Sequence, residues 1–413
     1  MRKIRDQIKR RKRRIARRLD KFDGRGLERP MMTASNIHYE IADRTQATAA
    51  GGIAAFHLLV QKLGLDQAVD RRLVLFKMHL PYHESDHVLN IAYNLLAGGT
   101  CLEHLEYLRS DEAYLNALGA RRIPDPATAG DFCRRFDMCD IIGLMEVFNA
   151  TRLKVWRQQP KAFFRQAIIE ADGTIVETTG ECKQGMDSSY QGQWGYHPLV
   201  LSLANTGAVL YVVNVKERIV EEREFKNIRL VQEYVAEFTY QPAKCRKAYR
   251  VVVVWKDLQV SQGQKQLCDD TCCFFYITND WATPCAEVVF SANDRCNQEN
   301  LLQQHKSGVR SLTAPLDNLL SNWAYMVMAS LAWSLKAWAA LVLPENGRWS
   351  EKHKEEKHKL LRMDFATFRH ALVQLPAQIL CTGRKIVCRL LGGNPWQHVF
   401  FRLLHQLAKP LRC

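Results

Sequence analysis

Residues 199–213, LVLSLANTGAVLYVV, contain two apolar runs separated by Asn205-Thr206-Gly207. Asn and Gly favour tight turns, and apolar runs bounded by turn residues are typical of strands. The stretch therefore predicts a β-hairpin in the middle of the chain. Further strands are predicted at residues 167–171, 175–178, 235–240, 249–255 and 272–278.

Helical patterns flank this β-rich region. Within residues 50–160, Ser85 precedes HVLNIAYNLLA and Gly98-Gly99 follows it, which is a typical helix start and stop. Other helices are predicted to open at Ser110 and Thr128 and to span 140–157, 293–307, 317–343, 364–372 and 396–407, whereas 351–359 (EKHKEEKHK) is predicted to be an exposed linker. The fold class is therefore mixed α/β, with helical regions at both ends.

The net charge of +15 is concentrated at the N-terminus. Residues 1–22 hold twelve Lys/Arg against Asp6 and Asp20, a net +10 that leaves +5 for the other 391 residues. The run lacks Gly and Pro and predicts a helix on a phosphate backbone, with salt-sensitive binding. The alternative is a solvated tail with no specific contact. The pair Arg134-Arg135 is open to the same two interpretations.

Thirteen cysteines at irregular spacing, without a secretory signal, indicate reduced thiols and a cytoplasmic protein. A group of five of them raises the question of zinc, but it contains no C-x-x-C pair: Cys268, Cys272, Cys273, Cys285 and Cys296.

One segment, residues 324–343, is long and apolar enough to span a bilayer. Lys336 near its middle is costly in lipid, and no second segment repeats the pattern. The sequence therefore favours a helix buried between domains, with no membrane partner.

Two carboxylates stand in settings that suit metal chemistry. Asp172, in IIEADGT (168–174), ends a strand predicted to be buried. In NDRCNQENLLQQHK (293–306), Arg295, Glu299 and Lys306 are spaced by four and seven residues, on one stripe of a helix. Carboxylates from two elements, Asp172 and Glu299, can hold Mg²⁺ or Mn²⁺, and cations beside them can grip phosphate. The alternatives are a turn aspartate and an intrahelical ion-pair ladder.

Long strings in the chain resemble the DDE transposases of bacterial insertion sequences, over most of residues 30–405. They are IPDPATAGDFCRRF, IIEADGTIVETTGECKQGMDSSYQGQWGYHPLVLSLANTG, FFYITNDW, NDRCNQENLLQQHKSGVRSL and NLLSNWAYMVMASLAW. The resemblance implies an RNase H-like catalytic domain, metal-dependent cleavage of the element's ends and strand transfer into target DNA. It also implies double-stranded DNA as partner, both terminal repeats and target, and a homodimer is a candidate assembly.

By that resemblance, Asp172 matches the first catalytic aspartate and Glu299 the final glutamate. Arg295 and Lys306 match the basic residues that accompany this glutamate, while Ala292 stands where the family has tyrosine. The second aspartate is expected on a strand after the first meander and a helix, in an Arg-Asp-x-aromatic setting. None of the aspartates between Asp172 and Glu299 has that setting: Asp187, Asp257, Asp269, Asp270, Asp280 and Asp294.

The sequence thus reads as if a core helix, a core strand and a metal ligand after Asn214 had been lost. A copy with this gap is expected to be catalytically defective, and a non-catalytic DNA-binding remnant that competes with intact transposase is the leading alternative. A β-rich insertion, about 222–285, is expected to help hold the DNA end. Arg250, Trp255 and Trp281 are candidates for that contact, with core packing favoured for each tryptophan.

The resulting domain prediction has four parts. Residues 1–48 form a basic arm and polar linker, and 49–160 a helical DNA-binding domain. Residues 161–345 form the RNase H-like catalytic domain, and 346–413 a helical C-terminal region. A membrane protein anchored by 324–343 is a third interpretation.

Overall fold

A computed structural model describes residues 2–19, 37–39, 45–77, 81–178, 180, 183–188, 193–214, 228–242, 246–262, 265–293, 296–382 and 385–410. The protein is 52% helical and 17% strand, with small separate sheets, which confirms the mixed class. It divides into two compact units, described here one at a time. The first comprises Met1–Met186, Tyr196–Lys216 and Leu301–Cys413, and the second Asp187–Gly195 and Glu217–Asn300.

The helices of the described residues are α1 (Arg2–Leu19), α2 (Ile53–Leu63), α3 (Leu65–Arg72), α4 (Glu84–Ala97), α5 (Leu105–Arg109), α6 (Glu112–Leu118), α7 (Pro126–Cys133), α8 (Met138–Trp156), α9 (Cys285–Asn293), α10 (Cys296–Gln303), α11 (Leu319–Leu341), α12 (Ser350–Arg362), α13 (Phe365–Phe368) and α14 (Gln397–Leu407). Short 3₁₀ turns lie at Leu102–His104 and Lys161–Phe164, and π turns at Gln304–Gly308 and Arg369–Val373.

The strands are β1 (Ala47–Thr48), β2 (Ile169–Gly173), β3 (Val176–Glu177), β4 (Asp187–Ser188), β5 (Trp194–Tyr196), β6 (Leu199–Leu203), β7 (Ala208–Val213), β8 (Ile228–Tyr240), β9 (Tyr249–Gln262), β10 (Lys265–Thr278), β11 (Ala377–Thr382) and β12 (Lys385–Leu390). All the predicted strands are present, and three of them (β8, β9 and β10) are longer than predicted.

Aspartates set the starts of the N-terminal helices. The side chains of Asp111, Asp125 and Asp137 accept hydrogen bonds from the backbone N–H three residues on. Because these carboxylates satisfy the unpaired donors of the first turn, α6, α7 and α8 begin slightly away from the predicted positions. The predicted end of α4 is confirmed, since Gly98 has a φ of 118°.

Helix α11 lies at the centre of the first unit. It is the described helix long and apolar enough to cross a membrane, but every residue from Ser321 to Leu341 is buried within the protein. It packs against α4, α8, α12 and β7. Complete burial among other elements is the position of a core helix, as the sequence favoured.

The charged residue of α11, Lys336, is satisfied within the fold. Its ammonium donates to the carbonyl oxygens of Leu361 (3.1 Å) and Met363, at the C-terminal end of α12. It also lies 3.8 Å from the centre of the Trp333 ring. Carbonyls at a helix C-terminus and an aromatic face both attract a cation. Burial nevertheless lowers the pKa of Lys336 to about 7.

The first sheet has the antiparallel order β2-β6-β7. The turn between β6 and β7 contains Gly207 at a φ of 63°, which confirms the predicted hairpin. Two indoles of α11 fix this hairpin: Trp323 Nε1 donates to the carbonyl oxygen of Val212 (2.5 Å) and Trp333 Nε1 to that of Gly207 (2.6 Å). The sheet is thus attached to the central helix through β7 and the turn.

The second unit is built on the antiparallel sheet β8-β9-β10. Val252 and Val254 of β9 form a small core with Val289 of α9 on one face. Arg250 holds the loop before α9: its guanidinium donates to Glu237 Oε2 (2.6 Å) and to the carbonyl oxygen of Thr283 (2.6 Å). One helix therefore covers one face of this sheet.

The C-terminal region differs from the prediction in two ways. Residues 351–359 belong to α12, and Glu356 is buried because its carboxylate binds His398 and Arg402 of α14, each at 2.7 Å. Charged partners on another helix turn a predicted linker into a packed element. The region also contains the hairpin β11-β12, extended by β1, whereas the sequence predicted helices alone.

Candidate catalytic carboxylates and nucleic-acid surface

Asp172 lies on β2, opposite Val200 of β6. The predicted burial of this strand is wrong: Ile169 is 61% exposed, and Asp172 is half-buried. In the described part of the chain β2 pairs with β6 alone and is the edge strand of its sheet. A strand that pairs with a neighbour on one side only has an open edge, so its side chains are less completely buried than those of a central strand.

Glu299 lies on α10 and is exposed. Its neighbours Gln298, Leu301 and Leu302 are buried, so α10 is amphipathic and presents Glu299 on its outer side. The helix predicted over 293–307 is instead divided, with α9 ending at Asn293 and α10 beginning at Cys296.

Lys306 lies on the π turn that follows α10 and is half-buried. A π turn contains more residues per turn than an α-helix, so Lys306 does not continue the stripe through Glu299 at ideal α spacing. His305 beside it is buried against Trp333, with Nδ1 2.5 Å from Ser311 Oγ. Burial lowers the pKa of His305 to about 3, so this imidazole is neutral. Arg295 lies outside the described residues.

The two predicted metal ligands belong to different units, Asp172 to the first and Glu299 to the second. Their convergence on one ion therefore stays a prediction. Carboxylate oxygens suit Mg²⁺ or Mn²⁺, but a two-metal centre needs more than two carboxylates. Within the ranges that the structure describes, no three His, Cys, Asp or Glu side chains are grouped as a metal site.

The other aspartates between Asp172 and Glu299 have different settings. Asp280 has a turn role: its carboxylate accepts from Ala282 N (2.9 Å), Thr283 N (3.1 Å) and Thr283 Oγ1 (2.6 Å). The Thr283 hydroxyl, followed by the two backbone N–H groups, lowers the pKa of Asp280. Asp187 lies on the short strand β4, opposite Gly195. Asp257, Asp269 and Asp270 lie on β9 and β10, where their side chains are not described, and Asp294 lies outside the described residues. The donor set of the described residues therefore does not fit a complete two-metal centre.

The basic arm is the helix α1, as predicted. Its described Lys and Arg side chains are exposed, except for Arg11. The Arg11 guanidinium donates to the carbonyl oxygens of Gly392 (2.8 Å) and Leu390 (3.2 Å) of the C-terminal region. One arginine thus attaches the helix to the C-terminal region, and the other described Lys and Arg side chains of α1 face solvent.

The other predicted phosphate contact, the pair Arg134-Arg135, has partners within the protein. Arg134 forms ion pairs with Asp131 (2.9 Å) and Asp317 (3.2 Å). The Arg135 guanidinium lies over the ring of Phe76, 5.1 Å from its centre. Both side chains are exposed as well as paired within the protein, so the two interpretations of Arg134-Arg135 stay predictions.

In the β-rich region, the exposure of the candidate DNA contacts differs from the prediction: the arginine is buried and the two tryptophans are exposed. Arg250 is buried and held by Glu237, so it is not presented to a ligand. Trp255 and Trp281 are 50% and 56% exposed rather than packed in a core. A small sheet with one covering helix has room to bury one face only, and Trp255 lies on the other.

Comparisons of the chain with protein-family profiles, with curated proteins and with solved structures returned no match.

Proposed function

We propose that this protein is a DNA-binding transposase of the DDE type, with an RNase H-like domain and an incomplete catalytic centre. The observation that carries the proposal is the meander β2-β6-β7, with Asp172 on its first strand and β7 packed on a buried helix. Such a meander is what the resemblance leads us to expect at the start of an RNase H-like domain. It supports Asp172 as the remnant of the first metal ligand.

The edge position of β2 supports the loss of a neighbouring strand. In the expected fold, the second aspartate follows the meander and a helix. Here β7 ends at Val213, and the described part of the chain resumes at residue 228 in a strand of the second unit. Asp172 and Glu299 would be the remaining metal ligands, and Arg295 and Lys306 would neutralise phosphate charge. In an intact centre of this kind, Mg²⁺ held by such carboxylates would supply activation of water and stabilisation of the leaving oxygen.

A specific observation favours the second candidate, a non-catalytic remnant that competes with intact transposase for DNA. The row of exposed cations on α1 needs no metal and no second aspartate to bind a duplex. DNA binding can therefore persist in this protein without DNA cleavage.

The proposal is tested with the full chain and a duplex carrying the element's own end. Binding should weaken steeply with salt. Replacing Arg10, Arg13, Arg14 and Arg17 by Gln should reduce the slope of log K against log salt by about three to four. A matched control replaces four exposed cations on or beside α12 by Gln: Arg348, Lys352, Lys354 and Lys359. That control should leave the slope nearly unchanged.

Cleavage is measured on the same duplex with Mg²⁺ or Mn²⁺. We expect binding without cleavage. Cleavage that disappears in both Asp172→Ala and Glu299→Ala would show that another group replaces the missing aspartate, against our proposal. Absence of any binding at low salt would remove both candidate functions.

A further inference from the structure

The sheet β8-β9-β10 has a second face that α9 does not cover. In antiparallel pairing, residues directly opposite each other lie on the same face. Tyr234 pairs with Trp255, and Phe238 with Val251, which in turn pairs with Ile277. We call this surface the open face and define it by its six large exposed side chains: Tyr234, Phe238, Tyr240, Trp255, Phe275 and Ile277.

These side chains form a continuous surface. The rings of Tyr234 and Trp255 lie 6.5 Å apart, centre to centre, at 63°. Val251, which pairs with Phe238 on one side and Ile277 on the other, also lies on the open face and is 3% exposed. By contrast, Phe275 and Ile277 are 62% and 63% exposed. The large side chains of the open face thus pack laterally and remain about half exposed or more.

The charge of the open face selects among partners. From Tyr234 to Tyr240, and at the paired positions of β9 and β10, each side chain on this face is uncharged. A nucleic-acid backbone requires cations, and the cation nearest the sheet's core, Arg250, points to the opposite face and is bound to Glu237. A neutral apolar face is complementary to another face of the same kind.

The area is sufficient for a dimer. A large aromatic side chain contributes roughly 200 Å² when covered, and about half of each is exposed on the open face. The five aromatic side chains together with Ile277 give on the order of 600 Å² per protomer, or about 1,200 Å² for two copies, the lower end of specific interfaces. Exposed apolar surfaces of this size mark interaction sites in soluble proteins.

We propose that the open face binds the open face of a second copy of this chain, as a two-fold symmetric pair of sheets. Sheets packed in this way lie about 10 Å apart, with side chains of the two faces interdigitated. The inference does not rest on the proposed function, because it uses neither DNA nor the carboxylates.

Sedimentation velocity of the full chain without DNA tests the proposal across the micromolar range. The wild type should sediment with twice the chain mass of 47.6 kDa. Trp255→Glu and Phe275→Glu should each raise the dimer dissociation constant roughly a hundredfold, because two unpaired carboxylates are buried per dimer. Trp349→Glu is the matched control, since Trp349 lies elsewhere and is 55% exposed, close to Trp255.

Circular dichroism of each variant establishes that it is folded. Phe275 lies on the edge strand β10, so it should tolerate a charged substitution better than Trp255 on the central strand β9. A wild type that is monomeric throughout the range would overturn the proposal. So would a dimer that both charged variants leave intact, or one that Trp349→Glu weakens equally. Loss of DNA affinity in Trp255→Glu with no change in mass would identify DNA as the occupant, also against the proposal.

Discussion

Two of the three-stranded sheets of this protein, both antiparallel, are stabilised in different ways. The first, β2-β6-β7, is attached to α11, and the bond from Trp323 to Val212 joins residues 111 positions apart. The second, β8-β9-β10, is covered by α9, which begins seven residues after β10 ends. The first sheet therefore depends on long-range contacts and the second on local ones.

The difference also decides which surfaces stay open. Attachment of the first sheet through β7 leaves the opposite edge strand, β2, with one described neighbour. The nine-residue helix α9 covers one face of the second sheet and leaves the aromatic face accessible. The open edge carries Asp172 and the open face carries Trp255, so each unit exposes the residue to which we assign a role.

The largest expected effect comes from removing the attachment of the first sheet. Trp323→Ala deletes a side chain that is 2% exposed, together with its bond to Val212, and should cost about 3–5 kcal/mol of unfolding free energy. Trp255→Ala removes the same side chain from a half-exposed position and should cost much less. Chemical denaturation at a protein concentration that favours the monomer measures both.

Equal losses of unfolding free energy in the two variants would contradict the difference between the two sheets. That result would mean that the second sheet is covered in solution, by the chain itself or by a partner. A small loss for Trp323→Ala would instead mean that α11 does not stabilise the first sheet.

An intermediate effect concerns pH and Lys336. Burial lowers its pKa to about 7, from about 10.4 in an unfolded chain. Between these pH values the unfolded state binds more protons, so the free energy of unfolding should rise with pH, by at most about 1.4 kcal/mol per unit. Urea midpoints from about pH 7 to pH 10 measure this slope.

Lys336→Met should lack that slope, whereas the exposed Lys359→Met should retain it. Retention of the slope in Lys336→Met would assign it to another group. The measurement reports on the first unit alone, because Lys336 belongs to α11, the helix that packs on the first sheet.

Much of the fold could be predicted because the local signals agreed with the tertiary structure. The turn at Gly207 and the helix end at Gly98 both require positive φ, which glycine supplies without strain. Helix α11 was recognised as buried because a lysine within an apolar run is more easily satisfied in a protein than in lipid. Apolar runs in the β-rich region located its three strands, although each strand is longer than predicted.

The failures arose where distant residues decide the outcome. A charged run became α12 because His398 and Arg402 pair with Glu356 from another helix. The exposure of β2 and of Trp255 depends on which helix covers which face, and periodicity in one strand carries no such information. For the candidate site, spacing identified Glu299 and Lys306 but did not indicate the π turn on which Lys306 lies.

The smallest expected effect concerns Asp172 and metal. A half-exposed carboxylate on an edge strand gains little from its neighbours, so Asp172→Asn should change stability by no more than about 0.5 kcal/mol.

If only isolated carboxylates meet the ion, its dissociation constant exceeds about 10 mM, and Mg²⁺ at about 5 mM then adds roughly 0.2 kcal/mol or less. Denaturation with and without Mg²⁺, at constant ionic strength, compares the wild type with Asp172→Asn and Glu299→Gln. A larger stabilisation, lost in both variants, would mean that the two units bring Asp172 and Glu299 onto one ion. The open edge of β2 would then be part of a functioning metal centre rather than the trace of a lost strand.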